Sequence, residues 1–165
     1  KTYVLIVSEH FPQKSLYRGL KTSFVDQIKR GDKIHTIRGN FPLWEKRMKE
    51  VIDGKARLSI RIWTGKPYRS TQKEVHVITH EDSPGIEKMR IDVPVNVWAQ
   101  CYIQKNNKGC TRFDIDEMTA IVPVNVVADK DGLTTVQFVD WFRDAKPKQD
   151  LAIIHFTDFR YLGHL

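Results

Sequence analysis

The feature that most limits what this chain can fold into is a succession of short β-type segments with no regular helices between them. Residues 56–62 (Ala-Arg-Leu-Ser-Ile-Arg-Ile) alternate apolar and polar side chains, as a half-buried strand does, and Trp63 ends the run. Residues 75–79 (Val-His-Val-Ile-Thr) are a β-branched run, and strands are predicted over 88–93 and 95–104 beyond the Asp82-Ser83-Pro84-Gly85 turn. Asn106-Asn107-Lys108-Gly109 marks another turn, and residues 120–127 are β-branched enough for a buried strand, with Pro123 calling for a bulge or an edge. A doubly wound parallel sheet needs a crossover helix after each strand, and this spacing leaves no room for one. The pattern therefore predicts an α+β fold: a small mixed or antiparallel barrel with about three flanking helices.

Those helices are read from period and caps. Phe24, Val25 and Ile28 define one over about 21–30, with Thr22 or Ser23 as N-cap and Gly31 as the left-handed residue that closes it. Pro42 opens a second that carries Leu43, Met48, Val51 and Ile52 and stops at Gly54. Thr134 caps a third with Val136, Phe138, Val139 and Phe142, ending near Pro147. Strands at 3–8 and 153–156 bracket the whole. With 165 residues the expectation is one domain, 1–165. No apolar run reaches the ~18 residues needed to span a bilayer, and no small-residue cleavage site follows the first strand, so a cytoplasmic protein is expected. Cys101 and Cys110 have neither metal-type spacing nor a framework of partners, which favours reduced thiols and leaves a disulfide between them open.

The densest polar chemistry lies in Gly31-Asp32-Lys33-Ile34-His35-Thr36-Ile37-Arg38, at the junction of helix, turn and strand. With the preceding helix it reads F-x-x-x-I-x-x-G-x-K-x-x-T-x-R, and this arrangement resembles the ASCH family of PUA-like domains, in which such a signature lines a cleft. The resemblance implies a PUA-like pseudobarrel. It extends to a tryptophan-containing segment after the signature, comparable to that of longer ASCH-like bacterial and phage proteins. Some ASCH proteins are amidohydrolases that deacylate N4-acetylcytidine with a lysine, a threonine and an acid. The lysine and threonine fall on Lys33 and Thr36, and the acid, by its place before a short turn and helix near the domain's end, on Asp131 in Ala-Asp-Lys-Asp-Gly-Leu-Thr. This chain departs from the small hydrolases by Asp for Glu and by a long insertion between the two segments.

Elementary geometry bears on the same residues. In an extended strand Thr36 and Arg38 share a face, and Lys33 has the wrong parity to join them unless it lies on the turn. A lysine partly desolvated near a hydroxyl has a lowered pKa and can serve as its base. The plainer reading makes Lys33 and Arg38 surface cations, Thr36 a strand former and Asp131-Gly132 a turn.

Charge is unevenly distributed. Residues 1–73 hold 17 Lys and Arg against 6 Asp and Glu, whereas residues 74–165 hold 10 against 14. A basic half favours a polyanionic or phosphate-bearing partner, the alternative being a solvated surface. Within it Trp63-Thr64-Gly65-Lys66-Pro67-Tyr68-Arg69-Ser70 interleaves aromatics with cations, a composition suited to stacking bases and holding phosphates. Pro67 and the missing upstream glycine exclude a Walker loop. His76 and His80 on a strand would stand about 13 Å apart, so no metal site is expected there, and no cofactor loop is evident. His155 reads as a satisfied histidine, with Thr157 as a nearby partner.

Three readings follow. The first is an ASCH-like domain that binds RNA or a nucleotide through Lys33, Thr36, Arg38, Trp63, Lys66, Tyr68 and Arg69. The second is a small amidohydrolase with Lys33, Thr36 and Asp131 as catalytic residues. The third is a protein-interaction domain with an incidental basic face.

Overall fold

A strand buried on both faces organises the molecule. The computed structural model describes residues 1–92, 100–104, 119–146 and 149–162. Element order is β1 (Thr2–Ile6), α1 (Phe24–Arg30), β2 (His35–Arg38), α2 (Phe41–Ile52), β3 (Arg57–Trp63), β4 (Gln72–Ile78), a 3-10 turn (His80–Asp82), β5 (Gly85–Asp92), β6 (Gln100–Gln104), β7 (Thr119–Pro123), α3 (Val124–Lys130), α4 (Thr135–Trp141) and β8 (Leu151–His155). One sheet has the order β1-β3-β4, with β1 and β3 parallel; the other, β2-β8-β5-β6-β7, is antiparallel throughout. Among the described residues the ladders form these two sheets and do not close into one barrel.

Every residue of β8 is buried. Its Ala152 and Ile154 join a core with Leu5, Leu58, Ile60, Met48 and Val51, from the small sheet and α2. Leu151 and Ile153 point the other way, into a core with Phe24, Met89, Ile91, Val127 and Phe138. The continuous apolar run Leu-Ala-Ile-Ile is what burial on both faces requires.

Most expected elements are present with shifted ends. The first strand runs over 2–6 instead of 3–8, and the run at 75–79 begins at Gln72 and stops at Ile78. Helix α1 starts at Phe24; Ser23 holds the N-cap position in a left-handed conformation without a side-chain cap bond, and Thr22 Oγ1 accepts from Phe24 N at 3.3 Å. Thr134 does cap α4, reciprocally with Gln137, but the helix ends at Trp141. The stretch 120–127 is a correction. Only its first part is strand, for β7 ends at Pro123 and α3 begins at Val124, which makes four α-helices among the described residues where about three were expected. Pro123 supplies a helix-compatible φ of −56° and lacks only an N–H that no first turn uses. Val124, Val127 and Ala128 then bury at helical spacing, so packing overrides their β-propensity. The turn at 106–109, Cys110, residues 95–99 of the predicted strand and Pro147 lie outside the described residues. No helix among the described residues is long and apolar enough to cross a membrane.

Two turns bring the polar chemistry together. Gly31, at φ 82°, closes α1 by donating to Ile28 O at 3.2 Å, and Asp32 N and Lys33 N both donate to Gln27 O. The turn is then tied to the end of α3, since Ile34 N donates to Lys130 O at 3.0 Å, and Phe156 N donates to Ile34 O at 2.8 Å. Gly132, at φ 78°, completes the second turn; Gln27 Nε2 donates to its carbonyl at 3.1 Å and to Thr22 O at 3.2 Å. A Cβ on Gly132 would stand 2.6 Å from Gln27 Oε1 and 3.3 Å from Lys33 Cβ. Gly132→Ala is expected to destabilise the protein by roughly 1–2 kcal/mol, mostly backbone strain, in urea denaturation; an unchanged midpoint would show that the turn tolerates a side chain.

Candidate functional site

Lys33 lies on the turn before β2, not in the strand, and is buried. Its ammonium donates to Asp131 Oδ1 at 2.7 Å and to Asp131 O at 2.6 Å, and lies 4.3 Å from the centre of the Phe24 ring. Side-chain exposure is 1% for Lys33 and 5% for Asp131. Buried charges persist when they are paired, and this pair also has hydrogen bonds to hold its geometry. Burial lowers the Lys33 pKa from the ordinary lysine value, partly offset by the charge and hydrogen bond of Asp131. Burial pushes the Asp131 carboxyl upward, but the Lys33 charge and the neighbouring His35 ring outweigh it and hold Asp131 below the usual carboxylate range.

Thr36 and Arg38 sit on the same face of β2, as strand alternation requires, and Thr36 is buried. Arg38 Nη1 donates to Thr36 Oγ1 at 3.0 Å and to Ile37 O at 2.8 Å, while Nη2 donates to Ile6 O at 2.5 Å. The guanidinium thereby fastens β2 to the end of β1 and supplies a donor to the threonine hydroxyl. Lys33, Thr36, Arg38 and Asp131 all line one cavity of about 290 Å³, whose other walls include Phe24, Leu133, Trp141 and Phe142. All of the residues singled out as catalytic thus meet in one place. The cavity wall offers a hydroxyl, a carboxylate and two cations together with aromatic rings, the Phe24 ring lying against the Lys33 ammonium.

The aromatic and cationic loop stands apart from this wall. Trp63 and Tyr68 pack on each other with ring centroids 5.3 Å apart, and Tyr68 is almost fully exposed. Lys66 and Arg69 are exposed, and none of the four lines the cavity. The loop does leave the small sheet at the cavity's end: Val7, a lining residue, donates to Arg61 O two residues before Trp63. Thr64, Gly65 and Ser70 close it with their own hydrogen bonds.

A second group of polar residues, unexpected from sequence, fills the space behind Asp131. His35 and His155 are fully buried, with ring centroids 5.5 Å apart. His155 Nε2 is paired with Glu87 Oε2 at 2.9 Å, so its partner is Glu87 and not Thr157. Glu87 also accepts from Tyr161 N and Leu162 N, at 3.1 and 3.0 Å, and Tyr161 OH is hydrogen-bonded to His35 Nε2 at 2.7 Å. Burial pushes the His155 pKa down to about 4 despite Glu87. These partners sit on strands and a segment remote in sequence, so only the apolar setting of each histidine hinted at burial. Among the described residues no group of three or more His, Cys, Asp or Glu is placed to hold a metal ion.

Comparison of the chain with family models, with curated proteins and with solved structures finds no match.

Two stability predictions follow from the geometry. Lys33→Met or Asp131→Leu alone leaves a buried group without its partner and should cost about 3–5 kcal/mol, whereas the two changes together should recover much of the loss; additive losses in this double-mutant cycle would contradict the pairing. His155 titrates near 6.5 when unfolded and about 4 when folded, so between these values the unfolded chain holds more protons. Stability should accordingly fall by about 3 kcal/mol as pH drops from 6.5 through 4, in the same direction as the loss from protonating Glu87. Urea titrations at several pH values measure this, and His155→Gln should flatten the slope.

Proposed function

We propose that the chain is an ASCH-like domain of PUA-like type, its two sheets corresponding to the halves of a pseudobarrel, and that its cavity takes a nucleobase or nucleoside. The observation that carries the reading is the composition of the cavity wall: Lys33, Thr36, Arg38 and Asp131 together with Phe24, Trp141 and Phe142. Aromatic surface suits a planar base, and the donors and acceptors suit its hydrogen-bonding edge. A volume of about 290 Å³ suits one such group and not a length of duplex. Arg38 already bonds Thr36 and two backbone carbonyls, which favours an uncharged group at the cavity floor. For an RNA ligand, one unstacked base would enter while Lys66 and Arg69, with Trp63 and Tyr68, engage the flanking chain.

A second reading, hydrolysis of an N4-acylated cytosine nucleoside, is favoured by the Lys33–Asp131 contact beside Thr36. Here Thr36 Oγ adds to the acyl carbon as Lys33, discharged to its neutral amine, takes the hydroxyl proton, which passes to N4 of the departing amine. Water then releases the acyl group from the threonine. Asp131 holds the lysine, and Arg38 supplies a donor beside the reacting hydroxyl.

A thermal-shift series over cytidine, N4-acetylcytidine, a nucleotide and short single-stranded RNA tests both readings. A bound nucleoside at a hundred times its dissociation constant should stabilise by about 2.7 kcal/mol, and Trp141→Ala should remove the effect. Lys66→Ala with Arg69→Ala should weaken RNA alone and reduce its salt dependence. Cytidine release from N4-acetylcytidine, lost in Thr36→Ala and Lys33→Ala, would establish the hydrolase; binding without release would leave the first reading alone. No shift with any of these ligands would sink both and turn attention to a protein partner.

A further inference from the structure

The pair at the cavity has something behind it. Asp131 Oδ1, the atom that accepts from Lys33, also faces His35 Nδ1 at 3.6 Å. That nitrogen is buried and has no hydrogen-bond partner, while the opposite nitrogen of the ring is bonded to Tyr161 OH. Tyr161 is only half-buried, so the series Lys33, Asp131, His35, Tyr161 runs from the cavity floor towards the far surface.

We propose that His35 and Tyr161 are positioning residues for Lys33: the Tyr161 hydroxyl donates to His35 Nε2, fixing the tautomer whose Nδ1–H points at Asp131 and restrains how strongly the carboxylate holds the lysine's proton. This deepens the chemical reading of the Lys33–Asp131 pair given above and rests on it. A donor on the carboxylate reduces its basicity, so it makes the adjacent lysine easier to discharge. Burial disfavours a charged His35, which keeps the imidazole in the neutral form that such a tautomer requires. The groups that face this ring or its partners are Lys33, Asp131, His155, Glu87 and Tyr161, with Arg38 acting on Lys33 and Arg160 on His155. Of these, only Tyr161 can hold the Nε2 position by donating a hydroxyl proton to it.

The test is NMR titration of Lys33, followed at its side-chain carbon and nitrogen in the full chain, with the His35 tautomer read from its ring nitrogens. In the unmodified protein the proton should sit on Nδ1. In Tyr161→Phe the tautomer is released, and the Lys33 midpoint should rise by about half a unit or more; His35→Leu should shift it in the same direction. Tyr161→Phe removes one half-exposed hydroxyl, so it reports even where His35→Leu fails to fold. An unmoved Lys33 midpoint in Tyr161→Phe, or a proton found on Nε2 in the unmodified protein, would overturn the proposal. Because the readout is a titration, it stands apart from any assay of nucleoside binding or acyl release. A protein inert towards every nucleoside whose Lys33 midpoint still moves would retain the relay and lose only the ligand.

Discussion

A lysine almost wholly withdrawn from solvent sets the terms for this structure. Desolvating the Lys33 ammonium is costly unless a carboxylate meets it, and Asp131 does so from a turn that is distant in sequence, with |i−j| of 98. To meet it, the end of α1 must turn sharply at Gly31, and the end of α3 must turn at Gly132. The two turns are then locked together by Gln27 and by the backbone bond from Ile34 to Lys130. The cavity is the space left between these turns, β2 and the aromatic end of α4. What makes the site chemically interesting is thus also what holds two parts of the fold in register.

Much of this was legible locally and little of it globally. The helix, the closing glycine and the strand after it follow from the order of residues 24–38, because caps and left-handed turns are short-range physics. Placing Lys33 on the turn resolves the parity conflict with Thr36, which periodicity could raise but not decide. Asp131 is different: nothing in Asp-Gly distinguishes a buried ion-pair partner from an ordinary solvated turn, and only the resemblance pointed to it. At 120–127, five β-branched residues concealed a strand that becomes a helix, since Val124 and Val127 gain more from the core than they lose in propensity. The histidine network could not be seen at all, because His35, Glu87, His155 and Tyr161 become neighbours only through the pairing of β2, β8 and β5.

The basic half of the chain divides on folding. Lys33 and Arg38 are drawn into the cavity wall and bonded there, whereas Lys66 and Arg69 stay exposed on a loop with two aromatic rings. A count of charge treats these cations alike, yet their surroundings separate them into groups that shape a pocket and groups that meet solvent.

The pairing of β2 with β8 also has a meaning in time. Strand β2 is synthesised well before its partner β8, and other contacts between distant segments close equally long loops: Ser15 to Asp140 at |i−j| of 125 and His35 to Tyr161 at 126. A nascent chain therefore carries Lys33 and Thr36 for an interval with neither the acid nor the neighbouring strand available. Loop-closure entropy of this size slows folding and leaves the apolar faces of β1–β3 exposed meanwhile. The site is therefore not complete until β8 has paired with β2, and a chain cut short before β8 would hold the signature residues without the strand that supports them.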